Sequence, residues 1–239
     1  MITIKELTIQ FPTVLAVDHV SCVFEKGSLH GLIGPNGAGK STMLKAMVGL
    51  ISNYAGEIYY DDLLFRENRL TVKKQFGYAP EDIDLIPYLA GLEYLQMIAD
   101  IRKLDQAQSH ISELVSLLGL GVVQHKIINS YSHGMRQKIS LAAALVGFPS
   151  ILILDEALNG LDSLALINVN KLLKELARAG HTIILSSHIL ELIEQWCDVI
   201  YIMHRGCLAA QLNQEQCAGI RKHYDQGLSG YFRKLISEM

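Results

Sequence analysis

Eight consecutive residues, Gly34-Pro35-Asn36-Gly37-Ala38-Gly39-Lys40-Ser41, carry the first chemistry in the chain. They match the spacing G-x-x-x-x-G-K-[ST], after a short apolar run (29–33) and before a segment of helical period (41–50). In that setting the glycines let the backbone fold into a nest whose N–H groups point at phosphate oxygens. The following helix adds its positive end. Lys40 supplies a point charge to the outer phosphates, and the Ser41 hydroxyl can ligate Mg²⁺.

A phosphate loop needs a partner that holds metal and activates water. The run Ile151-Leu152-Ile153-Leu154-Asp155-Glu156 ends in two acids, where ligands bind an open parallel sheet. Asp155 is placed to steady a Mg²⁺ shell and Glu156 to accept a proton from an attacking water. An ordinary Asp-Glu turn at a strand end has the same appearance when taken alone.

The elements that must position these groups follow from hydrophobic period. Residues 2–9 and 16–24 alternate as strands, the second ending in a turn at Glu25-Lys26-Gly27. Residues 56–60 and 76–79 read as further short strands. From about 88 to 120, and again over 164–178 and 190–196, apolar residues recur at helical spacing. The apolar runs 151–154 and 182–185 suit a central parallel sheet. Residues 199–203 and 207–210 flank His204-Arg205-Gly206 as a hairpin. The expectation is an α/β core with a mostly helical insertion at about 82–148.

Composition limits the alternatives. The chain has 239 residues, half of them hydrophobic and 19% charged, which suits one packed domain. A net charge of −3 gives no overall drive toward nucleic acid. The longest uncharged stretch (139–154) is interrupted by Gly147, Pro149 and Ser150, short of the roughly twenty apolar residues of a membrane span. The alternating N-terminus is unlike a signal peptide, so a soluble, cytoplasmic chain is expected. A mean hydropathy of +0.24 hints at a buried partner surface. Cys22, Cys197, Cys207 and Cys217 form no Cys-x-x-Cys pair and read as reduced.

Five further segments complete a set. They are Ser130-Tyr131-Ser132-His133-Gly134-Met135-Arg136-Gln137-Lys138, Asn159-Gly160-Leu161-Asp162, Ser186-Ser187-His188, Tyr78-Ala79-Pro80-Glu81 and the aromatic Phe11. With these segments, the phosphate loop and the acid pair in their order along the chain, it resembles the ATP-binding-cassette (ABC) ATPases over essentially its full length. The first segment is similar to the family signature Leu-Ser-Gly-Gly-Gln. The others resemble the dimer-contacting D-loop, the switch-histidine loop, the hinge loop and the adenine-stacking aromatic.

The resemblance implies a fold, a site and partners. The fold is a P-loop NTPase core with a parallel sheet, an antiparallel N-terminal β subdomain and an inserted α-helical subdomain. One ABC domain fills 1–239, with its core at about 1–81 and 149–210, helical subdomain at about 82–148 and C-terminal segment at about 211–239. ATP would meet Phe11, Gly34, Pro35, Asn36, Gly37, Ala38, Gly39, Lys40, Ser41 and Thr42 of one subunit. A second ABC subunit would present Ser132, His133 and Gly134 to the γ-phosphate, and Asp162 would couple the two sites. Ser41, Asp155 and Glu81 would hold Mg²⁺, and Glu156, His188 and Lys40 would carry hydrolysis.

Single motifs have plainer readings as well. Ser132 and Asp162 suit helix caps, Phe11 suits a core aromatic, and His188 suits a strand end satisfied locally. His133 replaces the first signature glycine, which is costly if φ there is positive. Glu81 replaces the usual hinge glutamine with a better Mg²⁺ ligand that repels phosphate. The Pro80-Glu81 hinge and an apolar end segment (Leu228, Phe232, Leu235, Ile236) resemble the drug, peptide and polysaccharide exporter branch. The expected function is thus the motor of a transporter, peripheral on the inner membrane face, with separate permease subunits. The run Ile83, Leu85, Ile86, Tyr88 is their candidate dock. Alternatives are a soluble ABC ATPase acting on ribosomes or DNA, or a regulatory cassette. No basic patch or second cassette favours the former, and Lys40, Asp155, Glu156 and His188 oppose the latter.

Overall fold

A computed structural model describes residues 1–238. Strands β1 (Ile2–Gln10) and β2 (Leu15–Phe24) form a hairpin, and β3 (Ser28–Ile33) runs into the glycine-rich turn and α1 (Lys40–Met47). Next come β4 (Ala55–Tyr60), β5 (Leu63–Leu64), the short helix α2 (Arg69–Lys73) and β6 (Phe76–Ala79). Three helices follow: α3 (Gly91–Arg102), α4 (Ala107–Leu117) and α5 (His133–Leu145). The chain then alternates through β7 (Ile151–Asp155), α6 (Ser163–Arg178), β8 (Thr182–Ser186) and α7 (Leu190–Trp196). It ends with β9 (Val199–His204), β10 (Cys207–Asn213), α8 (Gln214–His223) and α9 (Gly227–Ser237).

Two sheets result. One is antiparallel, in the order β2-β1-β4-β5; the other has six strands, in the order β10-β9-β3-β8-β7-β6. In the larger sheet β6, β7, β8, β3 and β9 run parallel, and only β10 opposes its neighbour. The expected α/β fold with a parallel sheet and an antiparallel N-terminal β portion is what the chain adopts.

The continuous apolar runs of the sequence have a direct cause. Successive strand residues point to opposite faces, and both faces of this sheet are covered. Ile151, Ile153 and Ile184 pack on one side with α1 and the small sheet. Leu152, Leu154, Ile183 and Leu185 pack on the other, among the remaining helices. Each fully buried Leu or Ile stabilises the fold by about 1.5–3 kcal/mol relative to exposure.

Because β6, β7, β8 and β3 are parallel, their C-terminal ends lie along one edge. Those ends carry Glu81, Asp155-Glu156, Ser186-His188 and Gly34-Ser41 respectively. The register is specific: Asp155 sits opposite Ser186, and Leu32 opposite Ser186 from the other side. One sheet edge thereby gathers residues more than a hundred positions apart.

The structure refines several sequence readings. The helical period of 88–120 divides into two helices, separated by Lys103 and Gln106 in left-handed backbone (φ 55° and 56°). Helices α2 and α8 have no counterpart in the periodicity reading. The apolar end segment is part of α9, and it faces inward. Leu228 is fully buried, and Phe232, Leu235 and Ile236 pack against the main core. The candidate docking run also divides, because Leu85 packs on the core and Ile83 is half-buried, leaving Ile86 and Tyr88 exposed.

Candidate functional site

The phosphate loop encloses one side of a cleft of about 210 Å³ lined by Asn36 to Thr42, Glu81 and Glu156. Gly39 sits at φ 101°, left-handed backbone that a side chain rarely adopts, and a Cβ there would stand 2.2 Å from the Ala16 carbonyl oxygen. Only glycine fits that close approach. Lys40 is buried, and its Nζ donates to the carbonyl oxygens of Gly34 (2.9 Å) and Pro35 (3.4 Å). No carboxylate pairs with it among the described residues, so its charge belongs to the cleft. Ser41 Oγ stands 3.1 Å from Asp155 Oδ1 and 3.3 Å from Glu81 Oε2.

Asp155 is fully buried at the end of β7. Its Oδ1 accepts from the Ser186 hydroxyl at 2.6 Å, while Oδ2 is buried with no hydrogen-bond partner. Burial raises its carboxyl above the ordinary range, and the nearby carboxylates of Glu81 and Glu156 push the same way, against the pull of the Ser186 and Ser41 hydroxyls. A cation would relieve both effects. Mg²⁺ characteristically takes one or two carboxylates plus phosphate oxygens and waters. The orphaned Oδ2 beside a hydroxyl and a second carboxylate fits that pattern. Among the described residues no group of three or more His, Cys, Asp or Glu is placed to hold a metal ion.

Glu156 follows in left-handed backbone at φ 51°, a conformation costing a non-glycine residue about 1–3 kcal/mol. Its N–H is held by Ser186, through Oγ at 2.9 Å and the carbonyl at 3.2 Å. Its Oε2 accepts from Asn159 Nδ2 (2.9 Å) and the His188 backbone N–H (3.2 Å), and lies 3.0 Å from His188 Nδ1. The carboxylate is nearly buried and fixed in direction, whereas the His188 side chain is 66% exposed. Such an arrangement suits a base held still beside a histidine that can turn toward the cleft.

Three supporting residues escaped the sequence reading. Ser186 bonds both Asp155 and the Glu156 amide, Asn159 holds the Glu156 carboxylate, and buried Gln137 reaches the Glu156 carbonyl from α5 at 3.5 Å. Ser186 and Asn159 lie in quoted motifs, but their partners depend on strand register. Gln137 lies in the quoted segment 130–138 as well, as a polar residue on a buried helix face.

The remaining expected residues lie apart from this cluster. Phe11 is 40% exposed in the β1–β2 turn and so is no core aromatic. Ser132 caps α5, accepting from the Met135 N–H at 3.3 Å. Asp162 caps α6, with Oδ1 accepting from the Ala165 N–H at 2.9 Å and Oδ2 2.5 Å from Lys138 Nζ. The Lys138 hydrogen bond, with the cap, holds the Asp162 carboxyl below its usual range. Both helix-cap readings are therefore realised, although a capping serine still has its own O–H to donate.

His133 is exposed at the first position of α5, and its φ is not positive. The feared backbone cost of a Cβ there does not arise. A second departure from the signature is Met135, which stands where the pattern has glutamine. Gly134 approaches the Gly160 carbonyl closely, since a Cβ on it would stand 3.0 Å away. The expected result for His133→Gly is turnover within about threefold of wild type and a stability loss of at most about 1 kcal/mol. Steady-state turnover and thermal melting check it. A collapse of activity with nucleotide binding intact would assign the imidazole itself to phosphate recognition.

Residues 17–159 match the profile of the family described as ABC transporter. The chain belongs to the ABC transporter family. Among curated relatives it is 35% identical over 214 residues to the bacitracin transport ATP-binding protein BcrA of Enterococcus faecalis, covering 89% of this chain and 69% of that one. It is 31% identical over 206 residues to the lantibiotic transport ATP-binding protein SrtF of Streptococcus pyogenes, covering 86% and 88%. A solved ATP-binding subunit of an ABC transporter superposes with a TM-score of 0.88 at 28% identity, over 100% of this chain and 98% of that one. As a family member this ABC ATPase takes ATP with Mg²⁺, and it is the motor component of a transporter.

Proposed function

We propose that the chain drives export of a peptide-class cargo through separate membrane-spanning subunits, working as one of two ATP-sandwiching copies. The observation that carries this reading is the meeting of Lys40, Ser41, Glu81, Asp155, Glu156 and His188 at one sheet edge. Lys40 and the loop amides bind the phosphates. Ser41, Asp155 and Glu81 would hold Mg²⁺, which would neutralise charge on the phosphate oxygens. Glu156 accepts the proton of the attacking water, and His188 orients that water once it turns from Glu156.

The second copy supplies what one chain lacks. Ser132 caps α5 with a lone pair, so its hydroxyl proton can be donated to a γ-phosphate across the interface. The helix end adds backbone N–H groups aimed at the same anion. Phe11, exposed in the β1–β2 turn, stacks on adenine. Asp162 fixes the start of α6, and the neighbouring Gly160 packs against Gly134, so the D-loop and signature move together.

Similarity to the bacitracin and lantibiotic transport proteins supports export of peptides. Among the described residues no helix is long and apolar enough to cross a membrane. In this reading the motion is delivered to other subunits, with this chain peripheral on the inner membrane face. Ile86 (42% exposed) and Tyr88 (82%), on the segment after the Glu81 hinge, offer apolar anchors for a short partner helix.

The test is fractionation of native cells with an ATPase assay. Wild type is expected to pellet with membranes, and Ile86→Asp with Tyr88→Asp to release the chain while ATP binding persists. If the folded double variant still pellets like wild type, the dock lies elsewhere. Wild type that stays soluble and co-sediments with ribosomes would overturn the transporter reading.

A further inference from the structure

The turn His204-Arg205-Gly206 between β9 and β10 packs against the phosphate loop and does not line the cleft. The Gly206 N–H donates to the Ala38 carbonyl oxygen at 3.0 Å, and the Gly206 carbonyl accepts from the Asp18 N–H at 2.9 Å. The end of β9 is equally close: a Cβ on Gly34 would stand 2.4 Å from the Met203 carbonyl oxygen. Gly206 itself is at φ 83°, and a Cβ on it would meet the Ala16 carbonyl oxygen at 3.2 Å. The turn thus ties the loop to β2 through two main-chain hydrogen bonds.

A trans peptide is planar, and its C=O and N–H point in opposite directions. Ala38 C=O and Gly39 N–H belong to one such unit. A donor that holds this carbonyl from behind therefore aims the Gly39 N–H forward. Ala38 and Gly39 line the cleft and Gly206 does not, so forward means into the cleft. Left-handed backbone at Gly37 and Gly39 makes these peptide planes easy to rotate, since glycine has no side chain to restrain them. An external pin removes that freedom before the phosphate arrives.

We propose that Gly206 is a positioning residue for nucleotide binding, whose N–H holds the Ala38–Gly39 peptide with the Gly39 N–H directed at a nucleotide phosphate. This rests on the nucleotide-binding reading of the cleft. It goes further by placing a determinant of affinity on a hairpin outside the cleft, which the phosphate-loop motif does not include. The effect acts on ground-state binding, because the pinned amide meets phosphate before and during reaction alike.

Replacing the Gly206 amide with its ester (glycolate in place of glycine) removes the donor and adds no atoms. Affinity for a fluorescent ATP analogue is expected to weaken about tenfold, the scale of one well-made hydrogen bond. KM for ATP should rise likewise, with kcat at saturating ATP within about twofold of wild type. A folded ester variant that binds within about twofold of wild type overturns the proposal, as does an equal loss of kcat with unchanged KM. Wild type supplies a measurement free of any folding defect. By reciprocity of coupling, nucleotide must strengthen the bond that favours its binding, so exchange of the Gly206 amide should slow when the analogue is added. Unchanged exchange at saturating analogue overturns the proposal too. Failure of wild type to bind the analogue would overturn the nucleotide-binding reading beneath it.

Discussion

Glu156→Gln is expected to retain ATP binding and to lose turnover by about 10²-fold or more, the scale for removing a general base. That factor corresponds to about 2.7 kcal/mol of transition-state stabilisation. The structure supports a loss this clean, because the substitution conserves shape in a constrained place. An amide oxygen can still accept from Asn159 Nδ2 and the His188 N–H, which hold Oε2 now. The left-handed backbone and its two bonds to Ser186 involve no side-chain charge. What disappears is the capacity to take a proton. ATP should then accumulate in the closed pair, visible as a nucleotide-dependent dimer by light scattering. Near-normal turnover would remove Glu156 from its assigned role and leave His188 as the candidate base.

Lys40→Ala should abolish nucleotide binding and hydrolysis together, since the ammonium faces the outer phosphates in ground and transition states alike. Fold stability is expected to move little. Lys40 is buried, its partners among the described residues are the carbonyls of Gly34 and Pro35, and none of those residues is a carboxylate left uncompensated when it goes. This pairing of outcomes is diagnostic. Loss of affinity by calorimetry with a melting temperature near wild type fits a charge kept for a ligand. Loss of both would mean that the ammonium mainly ties the loop together, and unchanged ATP affinity would remove Lys40 from the phosphate site.

Much of this site was legible in the sequence because it is written locally. The phosphate loop is one contiguous motif whose glycines and lysine act within a single turn, and the structure keeps Gly37, Gly39 and Lys40 on the cleft wall. Asp155 and Glu156 were readable because an apolar run must end where its strand leaves the sheet. Segment 190–196 was readable as a helix from its own period. The resemblance added order along the chain, which tied the separate motifs to one family.

Tertiary structure decided what those residues touch. That Ser186 bridges Asp155, 31 positions away, and the Glu156 amide follows from β7 and β8 pairing in one register with a helix between them. That Gly206 stands behind Ala38 follows from β9 lying beside β3. The inward face of α9 and the division of the 83–88 run were likewise hidden, because an apolar residue looks the same whether it meets its own core or a partner. Periodicity reports that a segment has a face to bury. Which surface receives that face is settled when two sides of a sheet are packed at once, and the sequence of one segment holds no record of it.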